Sequence, residues 1–238
     1  MSIIIKFKDS IHRQNFVEKQ IKTGEFYRNE DGVVLSNEYP KNEKNNLGSD
    51  IYSEKNFKNK KRDHYFEIIS LSKAYYSSPT TVLEVGAGTG CFARMYINKF
   101  NPKKYVFYEY SKPMVKRIHK EFKKQGDTEI DVKRKSFKNI SKQELSKYDC
   151  IMALQVFEHI NWDREFLSSI SPGTWIFFSV PRIVNEHHVR AFLTPDSIIY
   201  RYKDILDIKE IREIKRVIHF KSKHNYPLKW AIAAKRSE

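Results

Sequence analysis

Three closely spaced glycines are the most informative residues of this sequence. Gly86, Gly88 and Gly90 stand in the segment 84–92, which reads EVGAGTGCF. A short β-branched run precedes the segment, and residues 92–97 after it have the pattern of a helix. A strand that turns through glycines into a helix N-terminus can bind a ligand, because the missing Cβ atoms allow close approach and the first helical N–H groups are free. The sequence therefore predicts a binding loop here.

The residues around the glycines narrow the class of ligand. A dinucleotide-binding G-x-G-x-x-G pattern would require glycine at position 91, where this chain has Cys91. Glu84 stands just before the first glycine, and Glu109 ends the next apolar run at the interval where Rossmann-type proteins place the acid that binds ribose hydroxyls. A third run, 148–160, reads YDCIMALQVFEHI. The pattern favours a ribose-containing ligand that is not a standard dinucleotide.

Together, the segments LEVGAGTG, YEYS and YDCIMALQVFEHI resemble the class I S-adenosylmethionine-dependent methyltransferases, most closely the small-molecule enzymes of the UbiE/UbiG-like type. The resemblance covers roughly residues 65–238. It implies an α/β fold, with a Rossmann-like, doubly wound, mostly parallel seven-stranded sheet and helices on both faces. It also implies S-adenosylmethionine as the cofactor, S-adenosylhomocysteine as its product, and an antiparallel last strand that residues 229–235 could supply.

The resemblance assigns most cofactor-binding roles to the glycine loop and to the end of the second strand. Glu109 would accept both ribose hydroxyls in one bidentate contact, and Glu109-Tyr110-Ser111 matches the acid-x-Ser pattern of the family. Glu84 resembles the acid that organises the loop near the methionine amino group, although a purely structural hydrogen bond is the alternative. The complete predicted set is Glu84, Gly86, Gly88, Gly90, Glu109, Tyr110, Ser136, Phe137, Leu154 and Gln155.

The adenine side departs from the family pattern. Many relatives carry an aspartate after the third strand, whereas this chain has Arg134-Lys135-Ser136-Phe137-Lys138. Ser136 could offer a hydroxyl or backbone contact, and Phe137 a stacking face. A place in the core is the alternative for Phe137.

The predicted acceptor side follows the fourth strand at residues 154–160, LQVFEHI. This segment has no Asp/Asn-Pro-Pro-Tyr/Phe motif and no Pro-Cys pair, which disfavours amino-nitrogen and cytosine-C5 methylation by those mechanisms. His159 is a candidate general base, with a structural role as the alternative. A later stretch resembles the P…H-x-R-x-[FY]-[ST] segment that lines the acceptor pocket of relatives, and this resemblance adds His188 and Arg190 as catalytic candidates. Arg190 would bind an acidic acceptor group or form an ion pair. We assign no metal site, because adjacent His187 and His188 point apart and the sequence places no third ligand nearby.

The elements that must position these residues alternate along the chain. Strands are predicted at 81–85, 104–109, 130–133, 148–154, 174–180 and 229–235, with a weaker one at 214–220, and the main helices at 63–75, 111–124 and 194–207. Alternation of this kind is typical of βαβ units and a parallel sheet. Residues 1–62 are predicted to be a helical extension and polar connector that could form a lid, and residues 63–238 the Rossmann-like domain.

Composition leaves two further functions open. The net charge of +15 is compatible with an RNA or protein acceptor, although Lys112, Lys116, Lys120 and Lys123 recur at the spacing of a solvated helix face. A non-catalytic binding or scaffold protein of the same fold is the other alternative. No apolar stretch reaches the ~20 residues that span a bilayer, and two cysteines suit a reducing compartment. We therefore expect a cytoplasmic enzyme with a small-molecule acceptor, without membrane contact; nucleic acid is not favoured, and the oligomeric state stays open.

Overall fold

The computed structural model describes residues 26–28, 34–36, 63–122, 126–182, 188–192, 194–214 and 229–238. Its strands are β1 (Phe26–Arg28), β2 (Val34–Ser36), β3 (Thr81–Val85), β4 (Lys104–Tyr108), β5 (Glu129–Lys133), β6 (Cys150–Leu154), β7 (Trp175–Pro181), β8 (Arg190–Ala191), β9 (Leu206–Ile214) and β10 (Lys229–Arg236). Its helices are α1 (Asp63–Tyr75), α2 (Cys91–Phe100), α3 (Lys112–Glu121), α4 (Lys142–Leu145), α5 (Asp163–Ser169) and α6 (Pro195–Tyr202). Two 3₁₀ turns span Phe137–Asn139 and Phe157–His159.

A seven-stranded sheet with the order β5-β4-β3-β6-β7-β10-β9 holds these elements together. Strands β3 to β7 pair in parallel, and β10 runs antiparallel to both of its neighbours. The predicted fold class and the antiparallel last strand are thus confirmed. The chain leaves β3 towards one sheet edge and later returns to β6 on the other side. Ligands of open α/β sheets bind outside the carboxyl ends of the strands at such a switch point.

Both faces of the sheet are buried. In β6, Ile151 and Met152 belong to opposite hydrophobic clusters, as the alternation of side chains along a strand requires. Leu167 and Ile198 line one cluster, and Leu71 lines the other. This two-sided burial explains why the central strands read as nearly continuous apolar runs.

Strand β9 corrects two of the predicted elements. The predicted helix 194–207 ends earlier, at Tyr202, and β9 runs over Leu206–Ile214 rather than 214–220. A register shift lies between Ala233 and Ala234, which pair with Glu210 and Ile208, so Lys209 is an extra residue. The resulting apolar spacing lacks the two-residue period of a regular strand. Residues 215–220 lie outside the described residues.

A second, three-stranded sheet has the order β1-β2-β8. All its pairs are antiparallel, and Leu35 of β2 stands opposite Arg190 of β8. The sequence predicts a helix before Gly24 and a polar connector after residue 36, and those predictions lie outside the described residues. The strands β1 and β2 were not predicted. They attach part of the N-terminal extension to the segment that carries Arg190.

Candidate active site

The glycine loop links β3 to α2. All three glycines have positive φ, with values of 64° at Gly86, 57° at Gly88 and 72° at Gly90. A Cβ atom on Gly86 would lie 2.8 Å from Cγ2 of Val156, and one on Gly90 would lie 2.9 Å from the Phe122 ring. Because Val156 follows β6, the glycine loop packs directly against the predicted acceptor segment at the switch point.

Glu109 connects the glycine loop with the start of α3. Its Oε2 accepts a hydrogen bond from the Gly88 N–H at 2.8 Å, and its Oε1 accepts one from the Ser111 N–H at 2.8 Å. The residue is 8% exposed. Burial raises the pKa of the Glu109 carboxyl, while the Ser111 and Gly88 N–H groups act in the opposite direction. Each carboxylate oxygen has a second lone pair that could accept a hydroxyl hydrogen bond.

Glu84 lies inside the sheet domain, on β3. The Tyr105 hydroxyl donates a hydrogen bond to Oε2 of Glu84 at 2.9 Å. Burial raises the pKa of Glu84 to about 8; the Tyr105 hydrogen bond opposes that shift, and the charge of Glu109 adds to it. A positively charged group nearby would favour the ionised form of Glu84.

Ser136 and Phe137, which were predicted on the adenine side, make contacts within the fold itself. The Ser136 hydroxyl accepts a hydrogen bond from the Lys138 N–H at 3.2 Å and caps a 3₁₀ turn. The Phe137 ring packs against Trp162 and Phe166, with ring centroids 4.7 and 5.0 Å away. Phe137 therefore belongs to the core cluster on this face of the sheet. Tyr110, by contrast, is half exposed.

The segment after β6 begins with an unusual backbone. Gln155 has φ of 59°, a region that non-glycine residues adopt rarely and often at functional sites. Its backbone N–H donates to the Ser179 carbonyl at 2.9 Å. Its side-chain nitrogen Nε2 donates to the Ser179 hydroxyl at 3.2 Å. Leu154, one residue earlier, is buried. These contacts hold the turn to the end of β7.

Glu158, His159 and His188 come together beside this turn. Their potential ligand atoms all lie within 4.8 Å of one another. The rings of His159 and His188 meet edge to face with centroids 4.9 Å apart, and His159 Nε2 is 3.9 Å from Glu158 Oε1. The Val189 N–H donates to the Glu158 carbonyl at 2.7 Å, which fixes the two segments to each other.

The structure thus brings together two predicted residues, His159 and His188, and adds Glu158 to them. Glu158 is 1% exposed, and burial raises its pKa to about 8, against the opposing charges of Lys229 and Arg190. Among the described residues, no partner hydrogen-bonds to its Oε2. The sequence motif already contained Glu158 beside His159, but only the fold places both next to His188.

Arg190 belongs to a buried ionic network that adjoins the turn carrying Glu158 and His159. Its guanidinium is 3.0 Å from Asp163 Oδ1 and donates to the Phe157 carbonyl. Asp163 also accepts hydrogen bonds from Arg201 and from the Tyr202 hydroxyl. Burial alone would raise the pKa of Asp163, but the two guanidiniums hold it below its ordinary value. In this arrangement, Arg190 supports the 3₁₀ turn that carries Glu158 and His159.

Comparison with known proteins identifies the domain. Residues 83–172 match the protein family described as "Methyltransferase domain", and this range includes the glycine loop, Glu109 and the 154–160 segment. Over residues 83–172 the chain therefore carries a methyltransferase domain. A methyltransferase domain makes the chain an enzyme. The family suspected from the sequence is thereby confirmed, whereas the UbiE/UbiG-like type is not tested. No curated protein sequence matches the chain.

Solved structures share the fold of this methyltransferase domain at low sequence identity. The 1,6-didemethyltoxoflavin-N1-methyltransferase of Burkholderia thailandensis is 11% identical; the match covers 100% of this chain and 94% of that one, with a TM-score of 0.59. The N-methyltransferase NodS of Bradyrhizobium japonicum, in complex with S-adenosylhomocysteine, is 11% identical over 94% of this chain and 98% of NodS, with a TM-score of 0.56. An S-adenosylmethionine-dependent methyltransferase from Mesorhizobium loti is 11% identical over 74% and 98%, with a TM-score of 0.58.

The described part of the methyltransferase contains no helix that is both long and apolar enough to cross a membrane.

Proposed function

We propose that this enzyme transfers a methyl group from S-adenosylmethionine to a small-molecule acceptor. The observation that carries the proposal is the direct packing of Gly86 against Val156. Through this contact, the loop that would hold the donor adjoins the segment that would receive the acceptor. The match to a small-molecule enzyme over the whole chain supports this acceptor class: the Burkholderia thailandensis structure is described with bound 1,6-didemethyltoxoflavin.

On the donor side, the proposed binding residues lie at the carboxyl ends of β3, β4, β5 and β6. Glu109 would bind the ribose hydroxyls, because its two oxygens are fixed by the Gly88 and Ser111 N–H groups and keep lone pairs for further hydrogen bonds. Glu84 would complement positive charge on the amino-acid portion. Gln155 and Leu154 would contact the cofactor at the switch point, and Ser136 and Tyr110 would contact its adenine portion.

On the acceptor side, His159 and His188 would contact the substrate. Arg190 would act as a positioning residue, since its buried contacts with Asp163 and the Phe157 carbonyl hold the turn that carries His159. The cofactor supplies an electrophilic methyl group on a sulfonium centre. The chain's task is then to align the acceptor and exclude water, and alignment alone can contribute roughly 7–11 kcal/mol to lowering the barrier.

Titration calorimetry with S-adenosylhomocysteine tests the donor site. We expect the natural protein to bind, and Glu109→Ala to bind at least ~10-fold more weakly, because a charge-assisted bidentate contact is lost. Glu165→Ala serves as the matched control, since Glu165 is exposed on α5. Absence of binding by the natural protein would refute the proposed function. Equal binding by the natural protein and Glu109→Ala would refute the role of Glu109.

A further inference from the structure

The Glu158–His159–His188 cluster contains a group that the proposed methyl-transfer site leaves unexplained. A buried carboxyl group normally has hydrogen bonds to both oxygens, because an unpaired polar atom in the interior is costly. Glu158 is 1% exposed, yet none of the described residues hydrogen-bonds to its Oε2. Two imidazole rings lie beside it. A bound cation would complete this arrangement.

We propose that Glu158, His159 and His188 bind a divalent first-row transition-metal ion. Two imidazoles and one carboxylate form a common ligand set for such ions, and three protein ligands leave at least one position open. The carboxylate also supplies negative charge in a buried place, which would compensate part of the charge of the ion.

The geometry is close to that of a coordinated ion. Since the three ligand atoms lie within 4.8 Å of one another, a point exists within about 2.8 Å of all three, compared with about 2.0–2.2 Å in zinc sites. A contraction of less than about 1 Å per ligand would close the site, which a change of side-chain torsion can supply. The Val189 N–H bond to the Glu158 carbonyl and the Arg190 contact with the Phe157 carbonyl hold the backbone on both sides of the cluster.

The donor set also predicts which ions bind. Imidazole nitrogen favours zinc, copper, iron and nickel, whereas Mg²⁺ and Ca²⁺ prefer sites made of oxygen atoms. We therefore expect Zn²⁺ to bind more tightly than Mg²⁺. Mg²⁺ is usually held by carboxylate oxygens and water, whereas two of the three ligands in this cluster are imidazoles.

If the proposed function holds, the ion would also select the acceptor. An acceptor hydroxyl that binds at the open position would lose its proton to water more easily, because a metal ion lowers the pKa of a bound oxygen group. The oxygen lone pair would form the bond to the methyl carbon as the carbon–sulfur bond breaks, and sulfur would keep that electron pair. The inferred substrate class is a small molecule with a hydroxyl group. This step rests on the proposed function; metal binding itself does not.

The test measures metal and cofactor binding separately on the full chain. Metal-free protein is titrated calorimetrically with Zn²⁺ and with Mg²⁺, and one bound ion per chain is verified by elemental analysis after dialysis. We expect one Zn²⁺ site, weakened at least ~100-fold in Glu158→Gln and in His188→Ala. The controls are Glu165→Gln and His119→Ala, at exposed positions on α5 and α3. Circular dichroism shows whether each variant folds, and His188→Ala keeps the test valid if Glu158→Gln does not.

The outcomes distinguish the two proposals. Zn²⁺ affinity that is equal in the natural protein and in folded Glu158→Gln or His188→Ala would overturn the metal site, as would no Zn²⁺ binding at all or tighter binding of Mg²⁺. If S-adenosylhomocysteine still binds in those cases, the proposed function stands without the metal. If Zn²⁺ binds as expected and S-adenosylhomocysteine does not, the metal site stands and the proposed function is refuted.

Discussion

Glu84 and Glu109 place two buried carboxyl groups at the carboxyl ends of neighbouring strands. Burial raises the pKa of both groups, and the charge of Glu109 contributes to the raised pKa of Glu84. Their stabilising partners differ: Glu109 accepts two backbone N–H bonds, whereas Glu84 accepts one bond from Tyr105. Ionisation in the folded protein is therefore less favourable for Glu84 than for Glu109. Such paired carboxyls with raised pKa values are typical of functional sites.

Replacing Glu84 with glutamine should change how stability depends on pH. The pKa of Glu84 is about 8 in the folded chain and near 4.5 when exposed. Between these values the folded state binds a proton that the unfolded state has lost, so the stability of the natural protein falls as pH rises from about 4.5 to 8. Glutamine cannot ionise. We therefore expect Glu84→Gln to match the natural protein near pH 5 and to be more stable by up to a few kcal/mol above pH 8.

Urea unfolding at a series of pH values measures this effect. Glu165→Gln is the control, since an exposed glutamate should leave the difference between variant and natural protein unchanged across the series. A Glu84→Gln curve that runs parallel to the natural one from pH 5 to pH 9 would contradict the buried, protonated state of Glu84.

At the scale of elements, the loop after β3 packs against the segment after β6 because Gly86 has no side chain. Gly86→Ala would bring a Cβ to 2.8 Å from Val156 and would place alanine at φ of 64°. We expect a loss of about 1–3 kcal/mol in stability and a loss of at least ~10-fold in S-adenosylhomocysteine affinity, because the loop must shift away from its binding conformation. Thermal unfolding and titration calorimetry measure the two effects.

The loop variant has two informative controls. Gly126→Ala changes a glycine that has open space around its Cβ position and no positive φ, so it should leave both measurements nearly unchanged. Gly86→Ala combined with Val156→Ala removes the close contact but not the backbone strain, and should recover only part of the affinity. Full affinity in the single Gly86→Ala variant would show that the contact does not shape the binding loop.

The central elements were predictable because their signals are local. The apolar runs of β3, β4 and β6 and the glycines after β3 give the parallel sheet and its binding loop directly. Strand β9 was mispredicted because the extra residue Lys209 breaks its two-residue period. The contacts of His188 with Glu158 and His159 join residues some 30 positions apart, and depend on the β8 segment meeting the 3₁₀ turn. The family resemblance placed His159 and His188 on the acceptor side, but no local pattern indicated that they contact each other or Glu158.

For the whole molecule, the net charge of +15 is the property that most favours a different acceptor. Within the described residues, several basic side chains contact aromatic rings or carboxylates of the fold. Lys133 and Lys135 lie over the Tyr108 ring at 5.3 and 5.2 Å, Lys138 lies over Trp162 at 5.8 Å, and Lys133 also pairs with Glu144. These contacts hold Lys133, Lys135 and Lys138 against neighbouring side chains near the sheet edge. We infer that RNA would bind this surface through charge alone.

Salt dependence and methyl incorporation together test that inference. RNA affinity should fall roughly 10³-fold or more between 50 and 200 mM salt, as expected for contacts limited to phosphates. S-adenosylhomocysteine affinity in the same series should change little, because its proposed site is built from buried hydrogen bonds, and this measurement shows that salt leaves the fold intact. With radiolabelled S-adenosylmethionine we expect no methyl incorporation into RNA at either salt concentration. Incorporation that persists at 200 mM salt would mean that the acceptor site reads a nucleotide rather than a free small molecule, and the acceptor class proposed for His159 and His188 would then be wrong.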